Sequence, residues 1–118
     1  MSTPVPRARR AAREDRLDRV FGALSHRTRR ALLTRLSQEP AKITDLAEPF
    51  AMSLPAVSKH LRVLERAGLV RRAIDGRVHR CSLDAAALQE ADGWLEGYRA
   101  FWQGTLDQLE RYVTETRG

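Results

Sequence analysis

The sequence is short of the residues on which most chemistry depends. Its 118 residues include one cysteine, Cys81, and three histidines, His26, His60 and His79. A lone cysteine cannot close an internal disulfide, which agrees with a reducing compartment, and Cys81 reads as a small buried apolar residue, not a redox centre. So few thiols and imidazoles leave no cluster at metal-ligand spacing within one chain, so neither a metal nor a cofactor is expected. There is no carboxylate pair, no nucleophile beside a base and no phosphate-cradling glycine loop at a recognisable spacing, and an enzyme is therefore not expected. No apolar run is long enough to span a membrane, and the N-terminus is rich in proline and arginine where a signal peptide would be hydrophobic. The expected location is cytoplasmic, without a membrane partner.

What the chain has in excess is positive charge, unevenly placed. The net charge is +6. Up to Ser82 there are 18 Lys and Arg against 8 Asp and Glu, whereas Leu83 to Gly118 holds 3 against 7. A field of this kind favours a polyanionic partner for the first two thirds of the chain. The length allows one modest domain, whose core is small unless a dimer interface supplements it.

The most specific segment runs from Thr44 to Val70. Ser53 is a good N-cap and Pro55 falls in the first turn, where a missing N–H costs little, so a helix starts near Leu54. Gly68 suits the left-handed position that ends a helix after Ala67. Leu54, Val57, Leu61 and Leu64 recur at helical spacing and are expected to pack inward. The opposite side carries Pro55, Lys59, Arg62 and Arg66, flanked by Ala56, Ser58 and His60, which is short, polar and basic chemistry suited to phosphates and base edges. Upstream, Thr44 is expected to cap a first helix of about two turns, shortened by Pro49, whose Leu46, Ala47 and Phe50 pack against the second. Ala51-Met52-Ser53 supplies the turn.

After Gly68 the period becomes extended, and Asp75-Gly76 between two such runs predicts a two-residue hairpin. That turn sets Arg72 opposite His79 and Arg71 opposite Arg80. Like charges facing each other cost stability, which suggests that Arg71, Arg80 and Arg77 near the tip are presented to a polyanion. Lys42-Ile43 is expected to add a short strand at the hairpin base.

The remainder is helical by pattern. Met1 to Arg13 lacks apolar periodicity and reads as a flexible basic arm, residues 1–13, before a domain spanning 14–118. Leu17, Val20, Phe21 and Leu24 mark one core helix, and Ala31, Leu32, Leu33 and Leu36 a second after Ser25-His26. In the last segment, 84–116, Leu88, Leu95, Trp102 and Leu109 recur every seven residues, with Ala91, Tyr98, Thr105 and Tyr112 three positions after each. That is an a/d seam. Trp94, Phe101, Leu106 and Val113 widen it beyond what a small core needs, so the surplus is expected to meet a second copy of the chain. Asp84 can cap its start, and Gly93, Gly97 and Gly104 invite a bend or a close approach to another backbone.

Helix, turn, helix and basic hairpin in this order resemble the winged helix-turn-helix domain of the ArsR family of bacterial transcriptional regulators. The resemblance is carried by Phe21 to Leu33, Met52 to Leu61 and Leu64 to Val70. It implies a mainly α fold with a small β-hairpin, dimerising through terminal helices, and a homodimeric repressor of double-stranded DNA, usually released by an effector. It further implies groove contacts from Ser53, Ala56, Ser58, Lys59 and His60, and wing contacts from Arg77 and His79. The usual metal-sensing positions of the family hold no ligands here, and a small-molecule effector is not identifiable from the residues. The competing expectation is a winged-helix module that binds protein instead of DNA.

Overall fold

The computed structural model describes residues 6–117, so Met1 to Val5 of the basic arm lie outside the described residues. The elements run α1 (Arg7–Leu24), α2 (Arg27–Leu36), β1 (Ala41–Lys42), α3 (Ile43–Ala47), α4 (Leu54–Arg66), β2 (Val70–Asp75), β3 (Val78–Leu83) and α5 (Ala86–Arg117). The three strands form one antiparallel sheet in the order β1-β3-β2. Leu32 of α2, Leu46 of α3, Val57, Leu61 and Leu64 of α4, Leu69 and Cys81 are fully buried where the helices meet the sheet, and no charged residue is buried with them. Burial pushes the Cys81 thiol up, which keeps it in its uncharged form.

The corner between α1 and α2 shows how local chemistry fixes the frame. Helix α1 ends with carbonyls that need donors. Ser25 Oγ donates to Gly22 O at 2.6 Å, Arg29 Nε to Ala23 O at 2.7 Å, Arg29 Nη2 to Gly22 O at 3.0 Å and Arg30 Nη1 to Leu24 O at 2.8 Å. Two arginines of the second helix thus complete the end of the first, where cations also suit the helix dipole. His26 adopts an extended backbone as the N-cap of α2, its Nδ1 accepting from the Thr28 N–H at 3.1 Å.

Helix α4 begins and ends where its residues predict. Ser53 Oγ accepts from the Ala56 N–H, and Pro55 lies in the first turn. At the other end the Leu69 N–H reaches Leu64 O and the Gly68 N–H reaches Glu65 O, both at 2.9 Å, with Gly68 at φ +77°. This is a Schellman motif, and it turns the chain straight into β2. Gly68→Ala is expected to lower unfolding stability by about 1–2 kcal/mol, because the left-handed conformation penalises any Cβ. Gly22→Ala, in the last turn of α1 with open space where a Cβ would go, is expected to raise it by up to about 0.5–1 kcal/mol. Chemical denaturation of the two variants checks both signs.

Three expectations need correction. The basic arm is not an irregular segment over its described length, since α1 starts at Arg7 and runs unbroken past residue 14. The absence of apolar periodicity hid a stretch of alanine and arginine with high helix propensity, exposed on all sides. The short helix α3 is capped by Lys42, not Thr44, and covers only Ile43–Ala47. The hairpin closes at Gly76-Arg77 instead of Asp75-Gly76, because Gly76 at φ +61° takes the first central position of the turn and Asp75 pairs with Val78. Arg71 therefore lies opposite Ser82 and Arg72 opposite Cys81, and the like charges that do face each other are Lys42 and Arg80, across β1 and β3. Helix α5 runs as one continuous element through Gly93, Gly97 and Gly104.

Asp84 caps α5 by accepting from the Ala86 N–H at 3.1 Å, and its other oxygen takes Arg71 Nε at 2.8 Å. The Ala86 N–H first, and Arg71 second, hold this carboxylate below its usual range. Farther along, Arg16 of α1 grips Glu90 through Nε and Nη2 at 2.9 to 3.2 Å. Ala91 is only 4% exposed, so this seam position, with half-buried Leu88, belongs to the protomer's own core. Phe21 meets Trp94 edge to face at 5.5 Å and Trp94 meets Tyr98 at 5.0 Å. At 1.5 Å per residue α5 is about 48 Å long, and its apolar residues from Leu95 to Val113 are exposed.

Candidate nucleic-acid interface

The outer face of α4 is built by what its inner face must do. Val57, Leu61 and Leu64 are fully buried against α2, α3 and the sheet, and rotation then directs Pro55, Lys59, Arg62 and Arg66 outward, where all four are exposed. Ser58, Ala56 and His60 are half-buried on the flanks, as the helical period requires. Leu54 departs from the expected inward stripe. It is 46% exposed at the first turn, where the chain has not yet reached the core, and it borders a cleft instead.

That cleft, of about 520 Å³, separates the start of α4 from the hairpin. Its walls are Ile43, Leu54, Pro55 and Val78 on the apolar side, with Lys42, Ser58, Arg72, Arg77 and His79 supplying the polar groups. No carboxylate lines it. Lys42, Leu54 and Val78 are not among the expected contact residues, although the sequence places Lys42 in a strand and Leu54 on the inward stripe. The signal for Lys42 was present, because a strand at the base of the wing places its alternate residue beside the hairpin, as Lys42 stands beside Arg80.

Arg72 spans the floor between helix and wing. Its side chain is 14% exposed; Nε donates to Glu65 Oε1 of α4 at 2.6 Å and Nη1 lies 3.2 Å from His79 Nδ1. Nη2 is also within ion-pair distance of Glu65 but lacks hydrogen-bond geometry, leaving it buried without a partner of its own. The sequence placed Arg72 directly opposite His79; the true register makes them diagonal neighbours, close enough to touch on the same face. Arg72 thus fixes the wing relative to α4.

The remaining sites divide by location. Arg77 is exposed at the turn, whereas Arg71, at the opposite end of the hairpin, is paired with Asp84. Arg66 sits near the C-terminus of α4 beside Arg19 and Gly22 of α1, away from the wing. His60 faces the start of α2, where its ring is 4.5 Å from His26 and its Nδ1 is 3.4 Å from Arg29 Nη1. Ser53 is exposed, with its hydroxyl oxygen engaged as the cap. Lys42, Lys59, Arg62, Arg66, Arg77 and Arg80 form no ion pair among the described residues. Exposed cations without counter-charges raise a positive potential over this face. Among the described residues there is no grouping of three or more metal-ligating side chains, and no helix long and apolar enough to cross a membrane.

The comparisons with known proteins converge on the same geometry. The helix-turn-helix domain family matches residues 24–73, from the end of α1 into β2. The transcriptional repressor SdpR of Bacillus subtilis is 33% identical over 79 residues, covering 67% of this chain and 88% of that protein. The crystal structure of an ArsR family transcriptional regulator superposes with a TM-score of 0.72 at 38% identity, over 76% of this chain and 93% of that one. An ArsR-like transcriptional regulator from Rhodococcus sp. RHA1 gives a TM-score of 0.65 at 33% identity, over 83% and 92%. The chain belongs to the ArsR family of winged helix-turn-helix transcriptional regulators.

Proposed function

We propose that this regulator acts as a homodimeric repressor, binding double-stranded DNA at an inverted repeat and occluding a promoter. The observation that carries the reading is the outer face of α4, where Lys59, Arg62 and Arg66 stand exposed without an ion pair among the described residues, on a helix that adjoins a cationic wing. In this reading α4 enters the major groove. Ser53, Pro55, Ala56 and Ser58 meet the groove near its N-terminus, Lys59, Arg62 and Arg66 meet phosphates and base edges, and Arg77 and His79 follow the adjacent backbone. Lys42 joins them through the cleft. Arg71 is left to the hairpin base.

The second half of the proposal concerns α5. Leu95, Tyr98, Phe101, Trp102, Leu106, Leu109 and Tyr112 are exposed along one helix that extends beyond the protomer's core. A continuous apolar stripe of this length marks an interaction surface, and a second copy offers the same stripe in return. Two α4 helices held by paired α5 helices suit half-sites one helical turn, or a multiple of it, apart.

A mobility shift with the DNA upstream of the protein's own gene, repeated over a salt series, tests the DNA-binding half. The logarithm of the affinity is expected to fall linearly with the logarithm of salt concentration. Arg62→Ala is expected to weaken binding by about 1–3 kcal/mol if it reads a base, whereas Arg77→Ala, lost from a phosphate, should reduce the salt slope by about one. A shallow response, unchanged in both variants, would instead support a protein-binding module.

A further inference from the structure

Helix α4 is gripped on both sides. From Lys59 at the centre of the outer face, Ser58 and His60 lie about 100° to either side, Ser58 toward the wing cleft and His60 toward α2. A helix about 10–12 Å across nearly fills a major groove about 12 Å wide, so each flank runs along the phosphates of one strand. The wing flank has Arg77 and Lys42 for that purpose. The opposite flank presents a pair of imidazoles, with ring centroids 4.5 Å apart.

All three histidines of the chain share one arrangement. Nδ1 of His26 receives the Thr28 N–H at 3.1 Å, Nδ1 of His60 faces Arg29 Nη1 at 3.4 Å, and Nδ1 of His79 faces Arg72 Nη1 at 3.2 Å. Backbone N–H and guanidinium groups can only donate, so each Nδ1 is the acceptor and each neutral ring carries its hydrogen on Nε2. The groups facing His60 are His26 and Arg29 from α2 and Lys59 on α4 itself. Helix α1 contributes the carbonyls of Gly22 and Ala23, both already bonded to Arg29. No carboxylate hydrogen-bonds or pairs with His26, Arg29, Lys59 or His60 among the described residues. The flank therefore offers N–H donors and positive charge with no competing anion.

We propose that His26 and His60 form a binding site for a DNA backbone phosphate on the α2 side of the recognition helix, and that filling it couples DNA binding to proton uptake. This rests on the DNA-binding reading above and adds to it a named site and a pH response. In the free protein, burial first, and the charges of His26, Arg29 and Lys59 after it, hold His60 below the usual histidine range. A phosphate acts in the opposite sense by favouring the charged ring. The proton comes from solvent, takes Nδ1, and displaces the Arg29 contact while Nε2–H stays on the phosphate oxygen. The sign follows from linkage: the complex binds more protons than the free partners, so affinity rises as pH falls between the bound and free titration ranges of the ring.

The test uses the full chain and a random-sequence duplex, since a phosphate contact is independent of sequence. The His60 imidazole is titrated by NMR with and without duplex, and affinity is measured by fluorescence anisotropy at fixed salt across about pH 5.5 to 8. Expected are an upward displacement of the His60 titration by the duplex and an affinity gain approaching about tenfold per pH unit, the value for one proton. His60→Gln and, separately, His26→Gln should flatten the pH response while keeping the salt slope measured at the alkaline end. Identical His60 titrations with and without duplex, or an unaltered pH response in both variants, would overturn the site. Steep salt dependence with no pH response would remove this inference and leave the DNA reading standing, whereas no binding at any pH would remove both.

Discussion

Leu95→Asp combined with Trp102→Asp is expected to yield a folded monomer that binds a two-half-site operator about 10²–10⁴-fold more weakly, the factor by which tethering two sites exceeds one. Leu95 is 38% and Trp102 48% exposed in the single chain, and neither belongs to its core. Charges at these positions remain solvated in a monomer, so they cost the protomer little. Across a paired helix they would be buried without partners, which no apolar contact nearby could offset. The protomer's hold on α5 lies elsewhere, in the Asp84 cap, the Arg16–Glu90 pair and buried Ala91. Sedimentation equilibrium reads the mass, circular dichroism the fold and anisotropy the affinity. A variant that remains dimeric, or a monomer with undiminished affinity, would show that α5 does not join the subunits.

Leu61→Ala is expected to destabilise the chain by about 2–5 kcal/mol, the cost of lost transfer energy and an unfilled cavity. Total stability for such a domain is only about 5–15 kcal/mol. Leu61 is fully buried at the middle of α4, so its loss loosens the helix that carries the cationic face. Leu54→Ala is the contrasting case. Sequence periodicity assigns Leu54 to the same inward stripe, but the structure opens it onto the cleft, and the expected loss is below about 1 kcal/mol, since little burial is forfeited. Urea denaturation of both variants separates the two assignments; equal losses would mean that the stripe extends to the end of the helix after all.

The difference between Leu54 and Leu61 also shows what was legible from the residues. Local rules worked where chemistry is local. Ser53, Pro55 and Gly68 located both ends of α4, and Asp84 located the start of α5, because caps and left-handed turns depend on a few neighbouring atoms. From Val57 onward the inward and outward faces of α4 followed from period alone. Register did not, because the choice between Asp75-Gly76 and Gly76-Arg77 as the turn depends on which central position Gly76 takes. That choice moved every partner between β2 and β3 and removed the expected Arg71–Arg80 clash, while Lys42 and Arg80 face each other through the separate pairing of β1 with β3. Contacts between distant segments were beyond pattern reading altogether. Arg29 and Arg30 closing α1, Arg72 pinning the wing to Glu65, and His26 meeting His60 all arise only once the helices have packed. The first turns of α1 were missed for the opposite reason: a helix exposed on every side carries no apolar period to detect.

The account comes down to two α4 helices reading one duplex from the same side. Hydroxyl-radical footprinting on the region upstream of the gene measures this directly. Two protected patches are predicted on one face of the duplex, each over one arm of an inverted repeat, with centres about 10–10.5 base pairs or a multiple of that apart. A single protected patch without two-fold symmetry, or no protection at concentrations that saturate the dimer, would contradict it.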